Sequence, residues 1–281
     1  METTNRMAAL ITGAGGGLGG AFALEAARRG WDLILVDLPG TGLEDVGRRL
    51  SRVYKVESRC FEMDLADGEA RRNVVDWIRE RGVELALLVN CAGTGCCSNF
   101  QAAPRERIEA IVEVNLQGTV QLTHLLLPHL IRQEKAAIIN VSSLSAYYPM
   151  PSMAVYAASK TFLLHFSLAL RGELASTGVR VSALCPAGMI TSRDTADQVA
   201  AQGFFGRITT LETERVAAIA VRAALRGKAV VIPGLINRII RLAGSLVPQA
   251  LVIRVLRSRW RRTERLLASK ASSVPAVAQG A

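Results

Sequence analysis

The chain has 281 residues, of which 50% are hydrophobic and 5% aromatic. It is long enough to bury one large hydrophobic core and too short for two large domains. Its five cysteines are an odd number without C-x-x-C or Cys/His ligand spacing, so the pattern indicates neither a disulfide framework nor a zinc site and favours reduced thiols. Most of the net charge of +10 comes from residues 235–281, which hold nine basic residues and one acidic residue and leave the first 234 residues close to neutral.

Short apolar runs alternate with longer periodic stretches as far as about residue 234. Because the runs are apolar at consecutive positions, they predict strands buried on both faces, as in a parallel sheet covered by helices. The pattern therefore predicts a doubly wound α/β fold, the Rossmann fold, as one domain over residues 1–234. The predicted strands are Ala8–Thr12, Asp32–Asp37, Ser58–Glu62, Leu85–Asn90, Ala137–Ser142, Arg180–Cys185 and Ala229–Ile232, and the predicted helices are Gly19–Arg29, Glu69–Arg81, Pro104–Gln133 and Tyr156–Ser176.

Two further segments bear on localisation and on access to a site. No basic and then apolar leader precedes the first strand, so we expect no secretory signal and a cytoplasmic protein. Residues 192–213 are less regular and follow a late strand, where such folds carry a loop over the substrate. We therefore predict a mobile lid in this segment.

The first predicted strand runs into a glycine-rich turn, Thr12 to Gly19, and then into a helical pattern. Strand, glycine turn and helix in this order are typical of a dinucleotide-binding loop, whereas a flexible glycine linker does not follow a buried strand. Gly13 permits the tight turn, Gly17 lets the backbone approach a pyrophosphate, and Gly19 allows close packing of the helix on the strand. The helix N-terminus offers free N–H groups to the phosphates.

Asp37 ends the second predicted strand about twenty residues beyond the glycine loop. A carboxylate there can accept hydrogen bonds from both hydroxyls of the adenosine ribose and would repel a 2′-phosphate. Leu38 and Pro39 follow it, and Gly16 rather than a basic residue precedes Gly17. The pattern therefore favours NAD over NADP, although Asp37 could also be a loop-capping acid.

Tyr156 and Lys160 are four residues apart in a helical stretch, which places them on the same helix face. A phenol is a weak base at neutral pH, but a nearby cation favours the phenolate and lowers its pKa. Ser143 follows a predicted strand thirteen residues earlier and can hydrogen-bond a substrate oxygen. Together the three side chains predict an acid/base site.

With these motifs in order, residues 5 to 234 resemble the short-chain dehydrogenase/reductase family in its compact form. The family pattern is a glycine loop, Asp-Leu, Asn-x-Ala-Gly, a helix Asn, a strand Ser, Tyr-x-x-x-Lys and Pro-Gly. It is matched by Gly13 to Gly19, Asp64-Leu65, Asn90-Cys91-Ala92-Gly93, Asn115, Ser143, Tyr156 to Lys160 and Pro186-Ala187.

The resemblance implies a role for each matched residue. Tyr156 would exchange a proton with the substrate oxygen, Ser143 would orient that oxygen, and Lys160 would bind the nicotinamide ribose. Asn115 would hold a water that links Lys160 to solvent, although it could instead cap or kink its helix. The implied cofactor-binding residues are Gly13, Gly16, Gly17, Leu18, Gly19, Asp37, Asp64, Leu65, Asn90, Ala92, Gly93, Tyr156, Lys160, Pro186, Gly188 and Thr191, of which Thr191 could be a plain loop hydroxyl.

Two positions depart from the family pattern. Ala187 stands where the family has Gly, although Gly188 follows and can supply the same backbone freedom. Cys91 replaces a common Asn and is interpreted as a small buried filler. Cys96 and Cys97 lie in a loop that borders the substrate in this fold, and packing is their favoured role over redox or metal chemistry.

The segment after the last predicted strand mixes aliphatic residues with arginines. Residues 235–267 predict two amphipathic helices broken near residues 244–248, and residues 268–281 predict a disordered tail. Within this terminal segment the longest run without a charged residue, 242–253, is shorter than the roughly twenty residues of a membrane span. The helices could make peripheral contact with an anionic membrane surface, cover the substrate cleft or pack on a second subunit. Nucleic acid is disfavoured because the basic residues are mixed mainly with aliphatic residues rather than with stacking aromatic ones.

The sequence thus predicts an NAD-dependent oxidoreductase that interconverts a secondary alcohol and a ketone, with a lipophilic substrate if the membrane contact is real. The resemblance also implies a homodimer or homotetramer built through the helices of Asn115 and Tyr156. Two alternatives stay open: an NADP-linked ketoacyl-type reductase, and a cofactor-binding scaffold or sensor that acts through the basic tail.

Overall fold

A computed structural model of the protein describes residues 6–190, 199 and 203–258. In this part of the chain seven strands form one parallel sheet in the order β3-β2-β1-β4-β5-β6-β7, which confirms the predicted doubly wound fold. The strands are β1 Ala8–Thr12, β2 Asp32–Asp37, β3 Ser58–Glu62, β4 Leu85–Asn90, β5 Ala136–Val141, β6 Val179–Leu184 and β7 Val230–Val231. The first four have the predicted bounds, and the other three differ from the prediction by one residue at each end.

Helices cover both faces of the sheet. They are α1 Gly17–Arg28, α2 Leu43–Tyr54, α3 Gly68–Glu80, α4 Arg105–Ala110, α5 Thr119–Ile131, α6 Ala154–Glu173, α7 Gly203–Thr209, α8 Thr213–Leu225 and α9 Leu235–Ser245, and a π-helical segment, Ile111–Gly118, joins α4 to α5. The sequence analysis did not predict α2 and α8. The apolar side of α2 is short, since it buries only Leu43, Gly47 and Leu50, whereas α8 buries six residues, four of them small alanines.

Two apolar layers hold the helices on the sheet, and successive residues of one strand supply both. Ala9 and Ile11 of β1 belong to the layer with α1 and α8, whereas Ala8 and Leu10 belong to the layer with α3 and α5. Every residue of β1, β4 and β5 is buried. The predicted burial of both strand faces is therefore correct for the centre of the sheet.

The direction of the strand order reverses at β1, which pairs with β2 on one side and β4 on the other. The chain crosses the sheet in one direction from β1 to β3 and in the other from β4 onward. A crevice is left beyond the carboxyl ends of β1 and β4, the place where open α/β sheets bind ligands.

Beyond the sheet, α9 and a second helical stretch at residues 249–258 lie on either side of the break at residues 246–248. No helix among the described residues is long and apolar enough to cross a membrane. The predicted disordered tail, 268–281, lies outside the described residues, as do residues 192–198 and 200–202 of the predicted lid. The described part of the lid segment includes α7.

Candidate active site

The glycine loop closes tightly over the ends of the central strands. The Gly13 N–H donates to the Val36 carbonyl at 2.8 Å, and Gly13 has a φ of +70°. A Cβ at Gly13 would lie 3.0 Å from the Ala92 backbone, and one at Gly19 would lie 1.8 Å from the Gly13 carbonyl oxygen. Glycine is therefore required at both positions by the close approach of backbone to backbone.

The loop leaves the N-terminus of α1 open toward the crevice. The helix begins at Gly17, and its N-cap residue, Gly16, contributes no side-chain hydrogen bond to the first turn. No atom lies within 4 Å of the place where a Gly16 Cβ would sit. The first backbone N–H groups of α1 are thus available to an anionic group such as a pyrophosphate.

Asp37 is fixed at the end of β2 by two backbone donors. Its Oδ2 accepts from the Gly15 N–H at 2.7 Å, and its Oδ1 accepts from the Leu38 N–H at 2.8 Å. Each carboxylate oxygen keeps a further lone pair for a ligand hydroxyl. Asp37 therefore ties the glycine loop to β2 as well as lining the crevice. Gly15 was not among the predicted site residues, although the glycine run itself points to it.

Ser143, Tyr156 and Lys160 meet where β5 ends and α6 begins. Lys160 is buried, and its Nζ donates to the Val141 carbonyl at 2.9 Å and lies 5.7 Å from the Tyr156 ring centroid. Ser142 fastens α6 to the strand, because its hydroxyl donates to the Lys160 carbonyl at 2.6 Å. The three predicted catalytic side chains are thus brought together.

The protonation of this cluster differs from the sequence-based expectation. Burial raises the pKa of the Tyr156 phenol, and its hydrogen bond with Ser143 acts in the lowering direction. Burial also lowers the pKa of Lys160 to about 8, against a smaller effect of the Cys91 and Cys185 thiols. A lowered pKa of Tyr156 was expected from the nearby amine, but desolvation of the phenol is the largest effect and outweighs the hydrogen bond with Ser143.

Asn115 lies fully buried in the π-helical segment, next to Lys160. Its Oδ1 accepts from the Thr94 N–H at 2.9 Å, and its Nδ2 donates to the Thr94 carbonyl and the Ser159 hydroxyl, each at 3.0 Å. A Cβ at Gly93 would lie 3.0 Å from the Asn115 Oδ1 and 3.2 Å from the Lys160 Nζ. Asn115 thus holds the loop after β4 against the cluster.

Asn90 lies below the crevice rather than on its surface. Its Nδ2 donates to the Thr123 hydroxyl at 2.9 Å and to Asn140 Oδ1 at 2.7 Å, and Asn140 donates in turn to Ser167. This buried polar chain joins β4, β5, α5 and α6. The Asn90 side chain therefore fixes the registry of the elements that carry the site.

One cavity of about 700 Å³ unites these groups, a volume within the usual range for ligand sites. Its lining includes most of the residues that the sequence implicated: Gly13, Gly16, Gly17, Leu18, Gly19, Asp37, Asp64, Leu65, Ala92, Gly93, Ser143, Tyr156, Lys160 and Pro186. Asn90, Asn115 and Gly188 are not part of this lining, and Thr191 lies outside the described residues. Gly15 of the glycine run also lines it, as do residues that carried no motif by which the sequence analysis could find them: Leu38, Thr41, Met63, Thr94, Val114 and Met189.

The cysteines are thiols, as the sequence analysis expected. Burial raises the pKa of Cys91 to about 12 and that of Cys185 to about 11, so neither is a thiolate at neutral pH. The described residues contain no group of three or more His, Cys, Asp or Glu side chains that could hold a metal ion.

Comparison with known proteins gives matches over most of the chain. A family model described as short chain dehydrogenase matches residues 7–203. Hydroxysteroid dehydrogenase-like protein 1 from Gallus gallus is 34% identical over 200 residues, which are 70% of this chain and 60% of that protein. A Rattus norvegicus protein named inactive hydroxysteroid dehydrogenase-like protein 1 is 36% identical over 182 residues, 63% of this chain and 54% of that protein. The chain thus spans little more than half the length of these relatives.

A bacterial relative is covered more fully. Sulfoacetaldehyde reductase 2 from Chromohalobacter salexigens is 34% identical over 215 residues, which are 74% of this chain and 84% of that protein.

Solved structures share the fold. A 7beta-hydroxysteroid dehydrogenase has a TM-score of 0.81 at 23% identity, over 90% of this chain and 97% of that one. A short-chain dehydrogenase from Sphingobium yanoikuyae in complex with NADPH has a TM-score of 0.72 at 28% identity, over 88% and 95% of the two chains. One from Burkholderia phymatum in complex with NAD has a TM-score of 0.74 at 24% identity, over 87% and 93%.

Proposed function

This chain belongs to the short-chain dehydrogenase family, and on that premise we propose that it interconverts a secondary alcohol and a ketone by hydride transfer with NAD. The observation that carries the proposal is the single cavity that joins the glycine loop and Asp37 at one end to Ser143, Tyr156 and Lys160 at the other. A dinucleotide needs both ends, because its pyrophosphate and its reactive ring are far apart.

The residues present fit such a cofactor. The open helix N-terminus at Gly16 and Gly17 would hold the pyrophosphate, Asp37 the adenosine ribose, and Lys160 the nicotinamide ribose. When bound, the nicotinamide supplies the hydride acceptor or donor. Pro186, Gly188 and Thr191 are proposed to border that ring.

Preference for NAD over NADP rests on charge. Asp37 presents a fixed carboxylate where a 2′-phosphate would sit, and Lys160, at the opposite end, is the one basic residue among the described residues that line the cavity. Phosphate recognition calls for a basic partner. We therefore expect a lower Kd for NAD than for NADP, which also weighs against the NADP-linked ketoacyl-type reductase as an alternative.

In the reaction, Ser143 hydrogen-bonds the substrate oxygen and Tyr156 exchanges a proton with it. The raised pKa of Tyr156 favours the neutral phenol, which is the form that protonates the oxygen when a ketone is reduced. Lys160, held by the Val141 carbonyl, places a cation beside the ring. Together Ser143 and Tyr156 stabilise the developing oxyanion.

A lipophilic substrate is supported by a second cavity of about 500 Å³ next to the same loop. Its walls start at Ala146, three residues after Ser143, and continue to Ala154, two residues before Tyr156, with Ile253 of the second terminal helix among them. Most of its lining side chains are apolar. A chain or ring system extending from the reacting carbon could be received there.

A homodimer or homotetramer built through α4, α5 and α6 is also proposed. Val112 in the π-helical segment is 45% exposed, and Ile131 at the end of α5 is 42% exposed. On α6, Phe162 and Leu168 are 40% and 38% exposed. Phe162 stacks on Phe166 at 5.9 Å between centroids, which widens the apolar surface on α6. Apolar surface of this kind favours subunit contact.

The test follows nicotinamide absorbance with the purified full chain, NAD or NADP, and a panel of small and lipophilic alcohols and ketones. Tyr156→Phe should reduce kcat by roughly 10²–10⁴-fold, the usual worth of a positioned proton-transfer group, and should leave NAD binding intact. Tyr54→Phe, remote on α2, is the matched control and should keep full activity. Equal turnover by wild type and Tyr156→Phe would refute the proposed chemistry.

A scaffold or sensor remains the second candidate, because several relatives carry the name inactive. The presence of Ser143, Tyr156 and Lys160 in one cluster favours the enzyme, since a pure binder needs no phenol beside an amine. Tight NAD binding with no turnover of any substrate in the panel would decide for the scaffold.

A further inference from the structure

The helix α9 presents its polar side to the domain and its apolar side to solvent. Asn237 is 2% exposed, and its Nδ2 donates to the Pro233 carbonyl at 2.8 Å and the Thr209 carbonyl at 3.1 Å. On the same side the Tyr148 hydroxyl donates to the Ile240 carbonyl at 2.9 Å. An amphipathic helix on a globular domain normally has the opposite orientation.

Close packing fixes this orientation. A Cβ at Gly244 would lie 2.4 Å from the Tyr148 hydroxyl oxygen, so the helix backbone rests directly on that side chain. The Arg241 guanidinium lies 5.0 Å from the Tyr147 ring centroid. Rotating α9 to bury its apolar side would break the Asn237, Tyr148 and Arg241 contacts together.

The outward side forms a continuous apolar surface. Leu235, Ile239, Leu242 and Leu246 follow one another at steps of four, three and four residues, and are 71%, 56%, 59% and 82% exposed. Of the eighteen exposed large hydrophobic side chains among the described residues, nine lie between residues 235 and 255. Such a concentration marks an interaction surface rather than the scattered apolar residues of an ordinary exterior.

Basic residues accompany this surface without acidic ones. Arg238, Arg241, Arg254 and Arg257 lie in residues 235–258, a range that contains no Asp or Glu. A second copy of the chain seated on the same surface in a two-fold contact would bring these arginines against their own equivalents. An anionic surface would instead neutralise them.

We propose that the apolar side of α9 and the adjoining helical stretch 249–258 dock on an anionic lipid bilayer surface. The aliphatic side chains enter the acyl boundary, and the exposed Arg254 and Arg257 contact the lipid headgroups, as in interfacial amphipathic helices. The polar contacts of Asn237 and Tyr148 hold the helix to the domain, so lipid contact requires no release of α9. The proposal goes beyond the oxidoreductase function, because it needs no turnover.

The test is co-sedimentation of the full chain with vesicles of phosphatidylcholine alone or mixed with phosphatidylserine. Binding is expected to the mixed vesicles and to fall as salt is raised. Ile239→Gln combined with Leu242→Gln, and Arg254→Gln combined with Arg257→Gln, should each weaken partitioning roughly tenfold or more. These side chains are exposed, so the midpoint of thermal unfolding should not move.

Matched controls lie on α2, remote from the terminal helices. Val53→Gln removes an apolar side chain that is 59% exposed, and Arg52→Gln removes an exposed charge; both should bind vesicles like the wild type. Tyr156→Phe should also bind normally, which separates lipid contact from catalysis.

Three outcomes would overturn the proposal. They are a failure of the wild type to sediment with the mixed vesicles, equal binding to both vesicle types, and unchanged binding of both double variants. If Ile239→Gln with Leu242→Gln instead dissociates an oligomer in lipid-free sedimentation, the surface belongs to a second copy.

Discussion

The glycine loop of the cleft is held largely through backbone groups, whereas α9 is held to the domain by a few side chains. In the cleft, Gly13 and Gly19 let backbone pack on backbone, and Asp37 is fixed by N–H donors. Most of the specific contacts between α9 and the domain involve Asn237 and Arg241 of the helix and Tyr148 of the domain. The difference teaches that the shape of the glycine loop depends on the close approach of backbone to backbone, while an attached helix depends on replaceable polar contacts.

The largest expected effect comes from Gly19→Ala in the cleft. Because the added Cβ would meet the Gly13 carbonyl oxygen at 1.8 Å, we expect a loss of about 3 kcal/mol or more in the free energy of unfolding, together with loss of NAD binding. Urea unfolding and calorimetric titration measure the two effects.

Gly20→Ala, one residue along the same helix, is the control. Its Cβ would lie 3.6 Å from the Ala14 carbonyl oxygen, an ordinary contact, so the helix should gain about 0.5–1 kcal/mol. If the two variants are equally stable, backbone contact does not hold the cleft.

The second prediction concerns the pH dependence of stability. Lys160 is buried in the cleft, whereas Arg254 and Arg257 of the terminal helical stretch are exposed, so a pH effect from burial is expected from the cleft. The pKa of Lys160 is about 8 in the folded chain against 10.5 as the ordinary value, so the unfolded chain binds more protons between these values. Below pH 8 the buried Lys160 is charged in the folded chain, and the free energy of unfolding is lowered by the full cost of burying that charge. As pH rises toward 10.5 this cost disappears, so the free energy of unfolding increases.

Lys160→Met should remove this pH-dependent increase in the free energy of unfolding. The variant's stability relative to wild type should therefore decline by up to about 3 kcal/mol as pH is raised from 8 to 10.5. Urea unfolding at several pH values measures the difference, with Lys135→Met at an exposed lysine as the control. A difference that is constant with pH would mean that Lys160 is not desolvated.

The smallest effect is expected for Tyr148→Phe, which removes one hydrogen bond to the Ile240 carbonyl. We expect a loss of about 1 kcal/mol, confined to α9. Hydrogen exchange should show faster exchange of α9 amides with no change in β1 or β4. Acceleration spread over the whole sheet would show that α9 is coupled to the core rather than attached to it.

The cleft was predictable because its requirements are local in the sequence. A glycine turn after a buried strand, or Tyr156 and Lys160 one helical turn apart, dictates position within a few residues. The fold followed from the same kind of pattern, and four strands have the predicted bounds. Asn90 shows the limit, since its motif placed it at the cleft but could not reveal that its amide points into a buried polar chain.

The orientation of α9 could not be predicted. The periodicity of Leu235, Ile239 and Leu242 identifies an apolar side, but it does not say whether protein or another apolar medium covers that side. The deciding contacts of Asn237 and Tyr148 join residues far apart in sequence. The pKa of Tyr156 was missed for a related reason, because burial depends on the whole fold.

The π-helical segment around Asn115 has a consequence for how the gene for such a chain can change. A π-helix pairs each residue with the fifth one along, so it holds more residues per turn than an α-helix. Deleting one codon within Ile111–Gly118 would allow α-helical pairing in this segment and would remove the wide turn in which Asn115 lies. The loop contacts of Asn115 therefore depend on an insertion in length, which no exchange of one amino acid for another can create or repair.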